Sequence, residues 1–329
     1  PEALEVIRDQ LERCCQESPP TQCEELIETI AEVRGVPVRN VAVSSGSSSL
    51  MFSLLPQLLD ERSRVLLLSP MYGEYSHILQ HVIGCHITYF VLEDANGFAI
   101  DADDLISQAR EHDAVILVNP NSPTGVYCES MADIVSSIAR SNNPGSQCKM
   151  IWVDETYINY LPDAVSLEPL CGSLPELVVC KSMSKCYALS GLRVAYAVSQ
   201  NMATLRRFIP PWAVSLPGQL AAVAALRNDA YYAQQYEVIH SERRKMQQAL
   251  DDLGFQVFSG VANYLLTYLP AASGYSSTRF IEACREQGLF VRDAQNMGVL
   301  LPNNAVRFAV RSPEENEKML SIVDAILAL

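Results

Sequence analysis

The segment SMSK at Ser182–Lys185, followed by Gly191 and Arg193, is the most informative stretch of the chain. It comes one residue after an apolar run at residues 177–180, which is typical of a buried strand. A lysine amine can form a Schiff base with an aldehyde, while serine hydroxyls and a guanidinium can hold a dianionic phosphate. Because pyridoxal phosphate carries both an aldehyde and a phosphate, the pattern S-x-S-K followed by G-x-R predicts a site for this cofactor.

A solvated lysine and a serine acyl hydrolase motif are two other interpretations of this segment. Lysines that follow strands are common, and most of them are only solvated. The pattern S-x-x-K also occurs in serine acyl hydrolases of the penicillin-binding type, which need a K-T-G triad and a serine that opens a helix. This chain has no K-T-G triad, and Ser182 follows a strand. The cofactor interpretation is therefore favoured, and the rest of the chain strengthens it.

Composition limits the class of protein. The chain has 329 residues, of which 49% are apolar and 19% are charged, which indicates a globular protein with a substantial core. Its net charge of -14 argues against a nucleic-acid partner, and no apolar run reaches the length of a membrane span. No secretory leader is evident, and we expect some native N-terminus to precede Pro1.

The ten cysteines and five histidines indicate neither a disulfide framework nor a metal site. No cysteines form a C-x-x-C pair, and several, such as Cys85 and Cys180, lie in apolar runs where cysteine behaves as a small hydrophobe. We expect reduced thiols and a cytoplasmic protein. His77 and His81 are four residues apart, a spacing more typical of one helix face than of a ligand set.

Short apolar runs alternate with amphipathic segments between residues 40 and 200. This alternation predicts an α/β fold with a mostly parallel, doubly wound sheet. The predicted strands are Val41–Val43, Val65–Leu68, His86–Val91, Ala114–Val118, Met150–Val153 and Leu177–Cys180. The predicted helices are Ser47–Leu59, Glu74–Val82, Asp103–Arg110 and Met131–Ala139.

From about Leu205 the pattern changes to a long helical stretch over residues 220–253, with breaks allowed, and then to short strands and helices. This change predicts a smaller α+β domain, onto which an N-terminal helix over residues 1–15 can pack. The expected large, cofactor-binding domain spans residues 30–205, and the expected small domain combines residues 1–29 and 206–329. Its predicted strands and helices are Phe255–Phe258, Tyr264–Tyr268, Val306–Val310, Ser277–Gln287 and Glu314–Leu329.

Polar clusters follow the predicted strands, at the end where parallel sheets bind ligands. The loop SSGSSS at residues 44–49 leads into a helix, so its glycine and the first helix amides can cradle a phosphate beside Ser47 and Ser48. An ordinary serine N-cap is the alternative, and the loop is not a G-x-G-x-x-G dinucleotide motif. Tyr72 follows the next strand and can stack on a planar ring, although this position alone favours a core tyrosine.

Two later loops carry further candidates. The turn NPNSPTG at residues 119–125 has two prolines and a glycine, which fix a conformation that presents polar side chains such as Asn121 and Ser122. Asp154 directly follows four apolar residues. A protonated pyridine nitrogen would offset the cost of that position, and a helix N-cap is the alternative. Tyr157 lies on the following turn and can reach a ring hydroxyl.

The predicted C-terminal strand RFAVR has an arginine at each end, Arg307 and Arg311. The fork-shaped guanidinium of one of them suits the α-carboxylate of a substrate. From spacing alone, a solvated strand end is equally consistent.

These loops, in this order, resemble the class I/II pyridoxal-phosphate-dependent aminotransferases of fold type I. The resemblance covers nearly the whole chain, and NPNSPTG, DETY and SMSK with G-L-R are highly specific in combination. Within the family the chain is most similar to the histidinol-phosphate aminotransferase and threonine-phosphate decarboxylase branches. Its C-terminal RFAVRSPEEN particularly resembles the decarboxylases.

The resemblance implies a role for each candidate residue. Lys185 corresponds to the Schiff-base lysine, Asp154 to the partner of the pyridine nitrogen and Tyr72 to the tyrosine that stacks on the ring. Tyr157 and either Asn121 or Ser122 correspond to the ligands of the ring hydroxyl. The implied phosphate ligands are Ser47, Ser48, Ser182, Ser184 and Arg193. Arg307 and Arg311 are the implied substrate ligands, for the α-carboxylate and for an acidic or phosphorylated side chain.

The resemblance also implies a homodimer with its active site near the subunit interface, and the chain departs from the family pattern in three places. Ser122 stands where the family usually has asparagine, and Ser18 where a tyrosine serves the neighbouring subunit's phosphate. Ser48 and Ser49 stand where acidic residues are usual. We expect the family's N-terminal arm, which often touches substrate, to precede Pro1.

We therefore expect a pyridoxal-phosphate-dependent aminotransferase that acts on a small-molecule amino acid or related amine, with Lys185 as general base and acid. A decarboxylase or other lyase on the same scaffold is one alternative. A catalytically silent cofactor-binding protein is another. The sequence predicts no metal, nucleic-acid or membrane partner, and it does not determine the side chain of the substrate.

Overall fold

A computed structural model describes residues 2–140 and 148–328. The strands in these ranges are β1 (Val41–Ser44), β2 (Arg64–Ser69), β3 (His86–Val91), β4 (Ala114–Val118), β5 (Met150–Asp154), β6 (Leu177–Ser182), β7 (Ala195–Val198), β8 (Gln256–Val257), β9 (Tyr264–Tyr268), β10 (Arg292–Asp293) and β11 (Ala305–Ala309). The helices are α1 (Glu2–Asp9), α2 (Leu11–Gln16), α3 (Glu24–Arg34), α4 (Gly46–Leu58), α5 (Gly73–His77), α6 (Ala102–Ala109), α7 (Met131–Arg140), α8 (Met202–Leu205), α9 (Leu216–Leu226), α10 (Asp229–Asp252), α11 (Ser277–Glu286) and α12 (Pro313–Leu327).

The larger sheet has the strand order β1-β7-β6-β5-β4-β2-β3. Strands β2 to β6 pair in parallel, whereas β7 runs antiparallel to both of its neighbours, β1 and β6. Strands β4, β5 and β6 are buried along their whole length, as expected for parallel strands covered on both faces. The predicted α/β class with a mostly parallel sheet is confirmed.

The six strands predicted for the larger sheet are all present, and β7 is an addition to them. Strand β7 reads AYAV, and its two alanines weaken the apolar signal that marks the other strands. The expected helix at 74–82 is α5 continued by a π-helix, Ile78–Ile83. The long helical stretch breaks at Asn228, whose side chain accepts the backbone N–H of Tyr231 and so starts α10.

A second, antiparallel sheet has the order β10-β11-β9-β8 and packs with α10, α11 and α12. Phe255, Phe280 and Phe308 form its aromatic core, with ring centroids 5.7 to 6.4 Å apart in edge-to-face contacts. The predicted N-terminal helix consists of α1 and α2, and α1 packs against α9. Pro1 and Leu329 lie outside the described residues, and the expected domain limits stay predictions.

Candidate active site

Strand β7 brings three loops to one place at the edge of the larger sheet. Its first residue, Ala195, is opposite Ser44 at the end of β1 and Ser182 at the end of β6. Because β7 is antiparallel to both neighbours, β1 and β6 run in the same direction and end on either side of it. The serine-glycine loop, the Lys185 segment and Arg193 therefore meet at the carboxyl edge of the sheet.

A cavity of about 360 Å³ lies at this edge. All of the predicted site residues except Asn121 and Arg311 line it. The complete lining is Ser47, Ser48, Tyr72, Val118, Ser122, Asp154, Thr156, Tyr157, Ser182, Ser184, Lys185, Arg193, Arg292, Met297 and Arg307. The fold thus brings together residues from loops that are up to 260 positions apart, 47 to 307, in a single concave surface.

Gly46 allows the guanidinium of Arg193 to approach the serine-glycine loop. Its φ of +86° lies in the left-handed region that favours glycine, and a Cβ added there would clash with Nη2 of Arg193. Nη1 of Arg193 donates to Oγ of Ser184 at 3.1 Å. The guanidinium, the serine hydroxyls and the first amides of α4 form a concave set of donors. Such a set suits a dianionic phosphate.

Glu74 modifies this end of the cavity, and sequence analysis did not identify it. Oγ of Ser48 donates to Oε2 of Glu74 at 2.7 Å, so the hydroxyl proton of Ser48 points to a carboxylate in this structure. Burial and the charge of Glu74 raise the pKa of Tyr72 to about 12. The ring of Tyr72 remains 41% exposed, so it can still stack on a planar ligand, and the phosphate role of Ser48 stays a prediction.

Asp154, the last residue of β5, is buried and held by hydrogen bonds on both oxygens. Oδ2 accepts the hydroxyl of Tyr75 at 2.8 Å, and Oδ1 accepts the backbone N–H and the hydroxyl of Thr156 at 2.9 and 2.6 Å. Nε1 of Trp152 donates to the same Tyr75 hydroxyl at 2.9 Å, which directs the tyrosine proton to Asp154. Burial raises the pKa of Asp154, and these bonds oppose that effect.

Lys185 lies in the cavity wall, and its Nζ has no hydrogen bond or ion pair with any residue that the structure describes. Partial burial lowers the pKa of Lys185, and the positive charges of Arg307 and Arg193 lower it further. The amine is therefore neutral more often than that of a solvated lysine. A neutral amine is the form that attacks an aldehyde.

Arg307 is fixed at the other side of the cavity. Nη1 donates to Oγ of Ser122 at 3.3 Å, and the guanidinium carbon lies 4.7 Å from the ring centroid of Tyr264. Tyr157 packs edge-on against the same tyrosine, with centroids 5.2 Å apart. The pKa of Tyr157 is raised to about 12 by burial. The guanidinium thus keeps a defined orientation from which its other nitrogens can bind a carboxylate.

Arg292 is a second arginine in the cavity lining, and sequence analysis did not identify it. It is the partner of Arg307 in the antiparallel pair of β10 and β11, so both side chains project from the same face of that sheet. Both line the cavity, together with Lys185 and Arg193, and the acidic residue among the lining side chains is Asp154. Like charges on directly opposite residues repel each other, and a bound anion would relieve that repulsion.

Two predicted residues do not reach the cavity. The side chain of Asn121 is buried in its turn, where Nδ2 donates to the carbonyl of Pro70 and Oδ1 accepts the hydroxyl of Thr124. Of the two candidates for a ring-hydroxyl ligand, Ser122 is the one in the lining. Arg311 is exposed, and its Nη2 bonds Oε1 of Glu315 at 3.0 Å across one turn of chain.

In the described ranges, no helix has the length and apolar character needed to cross a membrane. Within those same ranges, no group of three or more metal-binding side chains is close enough to hold an ion.

The sheet, the lysine and the buried aspartate together define an α/β enzyme of fold type I. The family model for aminotransferase class I and II matches residues 1–323, and the chain belongs to this family, whose members use pyridoxal phosphate. It is 30% identical to histidinol-phosphate aminotransferase 2 of Archaeoglobus fulgidus, over 92% of this chain and 82% of that protein. It is 27% identical to threonine-phosphate decarboxylase of Salmonella typhimurium, over 95% of this chain and 84% of that protein.

Solved structures support the fold. The histidinol-phosphate aminotransferase of Clostridium acetobutylicum superposes with a TM-score of 0.85 at 23% identity and covers 99% of this chain and 95% of its own. The enzyme of the same name from Sinorhizobium meliloti, in complex with pyridoxal 5'-phosphate, has a TM-score of 0.85 at 18% identity and covers 100% and 87%.

Proposed function

We propose that this member of the family is a pyridoxal-phosphate-dependent aminotransferase that acts on an amino acid through Lys185. The observation that carries the proposal is the convergence of three features on one cavity: an unpaired lysine, a buried aspartate and an anion pocket. The alternatives for the single motifs, such as a serine N-cap or a solvated lysine, do not account for that convergence.

The residues suit three functional groups of the cofactor, namely its phosphate, its ring nitrogen and its aldehyde. The pocket between Gly46, Ser184 and Arg193, in which a Cβ would clash, suits the phosphate. The carboxylate of Asp154 suits a protonated ring nitrogen, and the amine of Lys185 suits the aldehyde. When bound, pyridoxal phosphate supplies an electron sink that stabilises negative charge at the substrate Cα.

The proposed role of Lys185 is to carry a proton at the substrate Cα. Its lowered pKa provides a neutral amine at Nζ, which can accept the Cα proton and later return a proton as ammonium. The arginines on either side also favour return of the proton, because they disfavour a lasting ammonium charge.

The proposed role of Asp154 is to hold a proton on the ring nitrogen. Its desolvation favours a neutral carboxyl group, whereas the bonds from Tyr75 and Thr156 favour the carboxylate. A cation next to Asp154 would stabilise its ionised carboxylate over the neutral carboxyl group. Tyr75 therefore acts as a positioning residue for Asp154.

Arg307 and Arg292 indicate the class of substrate. One guanidinium, that of Arg307, is held by Ser122 and Tyr264 in a fixed orientation that suits an α-carboxylate. The neighbouring charge of Arg292 then favours a second anionic group, a carboxylate or a phosphate, on the side chain. Arg311, which bonds Glu315 on the surface, is not needed for this arrangement.

Decarboxylation is the second candidate, because one of the curated relatives is a threonine-phosphate decarboxylase. Which bond at the substrate Cα breaks depends on how the protein orients the substrate. Arg307, which is held by Ser122 and Tyr264, would keep the α-carboxylate bound, and this favours loss of the Cα proton over loss of carbon dioxide.

Borohydride trapping followed by a single-turnover test with dicarboxylic and phosphorylated amino acids decides between these functions. Borohydride is expected to fix the cofactor as a label on the peptide that contains Lys185. The single-turnover test is expected to release a 2-oxo acid and no carbon dioxide. Label on another lysine would overturn the assignment of Lys185. Carbon dioxide together with an amine product would overturn transamination in favour of decarboxylation. Cofactor binding without either product, for any donor, would favour the catalytically silent protein.

We further propose a homodimer in the cytoplasm. Trp212 and Phe52 are 55% and 42% exposed, and burial by a second copy would remove both side chains from water. All ten cysteines are unpaired, which suits a reducing compartment. Sedimentation equilibrium of the wild type and of a Trp212→Glu variant tests the dimer: a wild-type monomer would overturn it.

A further inference from the structure

A buried charge cluster lies behind the candidate site. It consists of Arg34, Glu155, Glu168 and Lys181, and none of these residues lines the 360 Å³ cavity. Nζ of Lys181 lies 2.6 Å from Glu168 and 3.2 Å from Glu155. Glu155 directly follows Asp154, and Lys181 directly precedes Ser182. The ion pair between Glu155 and Lys181 therefore links the end of β5 to the end of β6, and both of these strand ends carry candidate site residues.

Arg34 extends this cluster to the segment that carries Lys185. It is the last residue of α3, and its Nη2 donates to the hydroxyl of Tyr187, two residues after Lys185. Its Nε donates to the hydroxyl of Tyr196 in β7 at 3.0 Å and lies 3.9 Å from Glu168. One guanidinium thus contacts both the Lys185 segment and the neighbouring strand.

The other side-chain bonds to residues 186 and 187 come from neutral groups. Tyr236 donates to the carbonyl of Cys186 at 3.1 Å, and Sγ of Cys186 donates to the carbonyl of Thr156 at 3.3 Å. Asn159 reaches the hydroxyl of Tyr187 at 3.4 Å, and Tyr232 donates to the carbonyl of Tyr187 at 3.4 Å. Hydrogen bonds from a charged donor are stronger than neutral ones, so the contact from Arg34 is the strongest hydrogen bond among them.

We propose that Arg34 is a positioning residue for Lys185, acting through the hydroxyl of Tyr187. The consequence for catalysis rests on the proposed function, whereas the effect on the amine of Lys185 does not. A small displacement of a reacting group lowers the reaction rate strongly. A residue that fixes the position of a neighbouring segment can therefore affect the rate without touching the substrate. None of the sequence motifs includes Arg34, which precedes the glycine that ends α3.

A second cavity, of about 550 Å³, gives access to this contact from solvent. Arg34, Tyr187 and Lys181 are among its lining residues. A small cation can therefore enter the space that the side chain would leave after truncation. This access makes chemical rescue by methylguanidinium a direct test of the guanidinium's role.

The test measures how fast an amine-directed reagent, trinitrobenzenesulfonate, modifies Lys185 as pH varies in the cofactor-free protein, with the exposed Lys149 as internal control. Arg34→Ala and Tyr187→Phe are each expected to change the Lys185 rate by about tenfold, without an effect on Lys149. Methylguanidinium restores the rate in Arg34→Ala. Tyr196→Phe, which removes the other hydroxyl contact of Arg34, leaves the Lys185 rate unchanged. In the loaded enzyme, Arg34→Ala lowers kcat by about tenfold and leaves KM unchanged.

A folded Arg34→Ala protein with the wild-type Lys185 rate would overturn the inference. So would a changed rate that methylguanidinium does not restore while Tyr187→Phe behaves as wild type. If Arg34→Ala does not fold, Arg34→Lys and Tyr187→Phe carry the test, since lysine keeps the charge and lacks the fork that bridges two hydroxyls. A wild-type protein without activity would count against the proposed function, and the modification rates would still decide the role of Arg34.

Discussion

Lys181 and Lys185 are four residues apart and have opposite electrostatic surroundings. Lys181 is almost fully buried, and although burial alone lowers its pKa, the carboxylates of Glu168 and Glu155 outweigh that effect and hold the pKa above its ordinary value. Lys185 has no carboxylate partner among the described residues and faces Arg307 and Arg193, so its pKa is lowered. One chain thus holds a structural lysine that is paired with two carboxylates and, four residues later, the lysine proposed to react, which has no carboxylate partner among the described residues.

Replacement of Lys185 gives the largest expected change. Lys185→Ala should lower turnover by roughly 10⁴-fold or more, because the nucleophile and the proton carrier are removed together. Lys149→Ala, at an exposed position, is the matched control and should retain wild-type turnover. Turnover above a hundredth of the wild type in Lys185→Ala would mean that another group carries the proton.

Replacement of Lys181 should instead act on stability. Lys181→Met leaves Glu155 and Glu168 buried without their cation, and the expected loss in free energy of unfolding is about 3–5 kcal/mol. Urea unfolding measures it, with Lys149→Met as the control, since an exposed pair contributes about 0–1 kcal/mol. Equal midpoints for the two variants would show that the cluster does not stabilise the fold.

The next largest effect on turnover is expected for Asp154→Asn. It keeps the shape of the side chain and removes the charge that would hold the ring nitrogen protonated, and a contact of this kind is worth on the order of 10²–10³ in rate. Steady-state kinetics measure the loss, and Asp133→Asn on the exposed face of α7 serves as control. Wild-type turnover would indicate that Asp154 is only a structural cap.

Arg292→Met sharpens the comparison on the substrate side. If Arg292 binds a second acidic group, KM for dicarboxylic or phosphorylated donors should rise roughly tenfold or more, the cost of losing one charge-assisted hydrogen bond. KM for donors with apolar side chains should stay the same. Arg279→Met, on the exposed side of α11, is the control. An equal rise for both kinds of donor would show that Arg292 does not read the side chain.

The smallest effect is expected at Arg311. It forms an exposed ion pair with Glu315, and its side chain is not among those that line the cavity. Arg311→Ala should therefore change KM for every donor by less than about twofold. A tenfold rise for acidic donors would restore the substrate role that the sequence predicted for Arg311.

The fold and the cofactor side of the cavity could be predicted because their signals are local. Ser182, Lys185 and Asp154 each follow a continuous apolar strand, and parallel strands end at a common edge. Arg292, Glu74 and Tyr75 could not be predicted in the same way. Arg292 enters the cavity only because β10 pairs with β11, and Glu74 and Tyr75 act through contacts with distant residues.

Two adjacent residues in the turn after β4 also show that a sequence pattern does not determine which side chain faces the cavity. The sequence placed Ser122 where the family has its asparagine ligand and left Asn121 as the alternative ligand of the ring hydroxyl. In the folded chain the amide of Asn121 bonds its own turn and Pro70, and Ser122 faces Arg307. Which of two neighbours faces a cavity depends on backbone dihedral angles that composition does not determine.

Strand β7 has a further consequence for the width of the opening between the serine-glycine loop and Lys185. It separates β1 from β6, so the segments that follow those two strands start about 10 Å apart, which is twice the usual spacing of neighbouring strands. Adding or removing one strand at this position would change the span by about 5 Å and separate the anion pocket from the amine it serves.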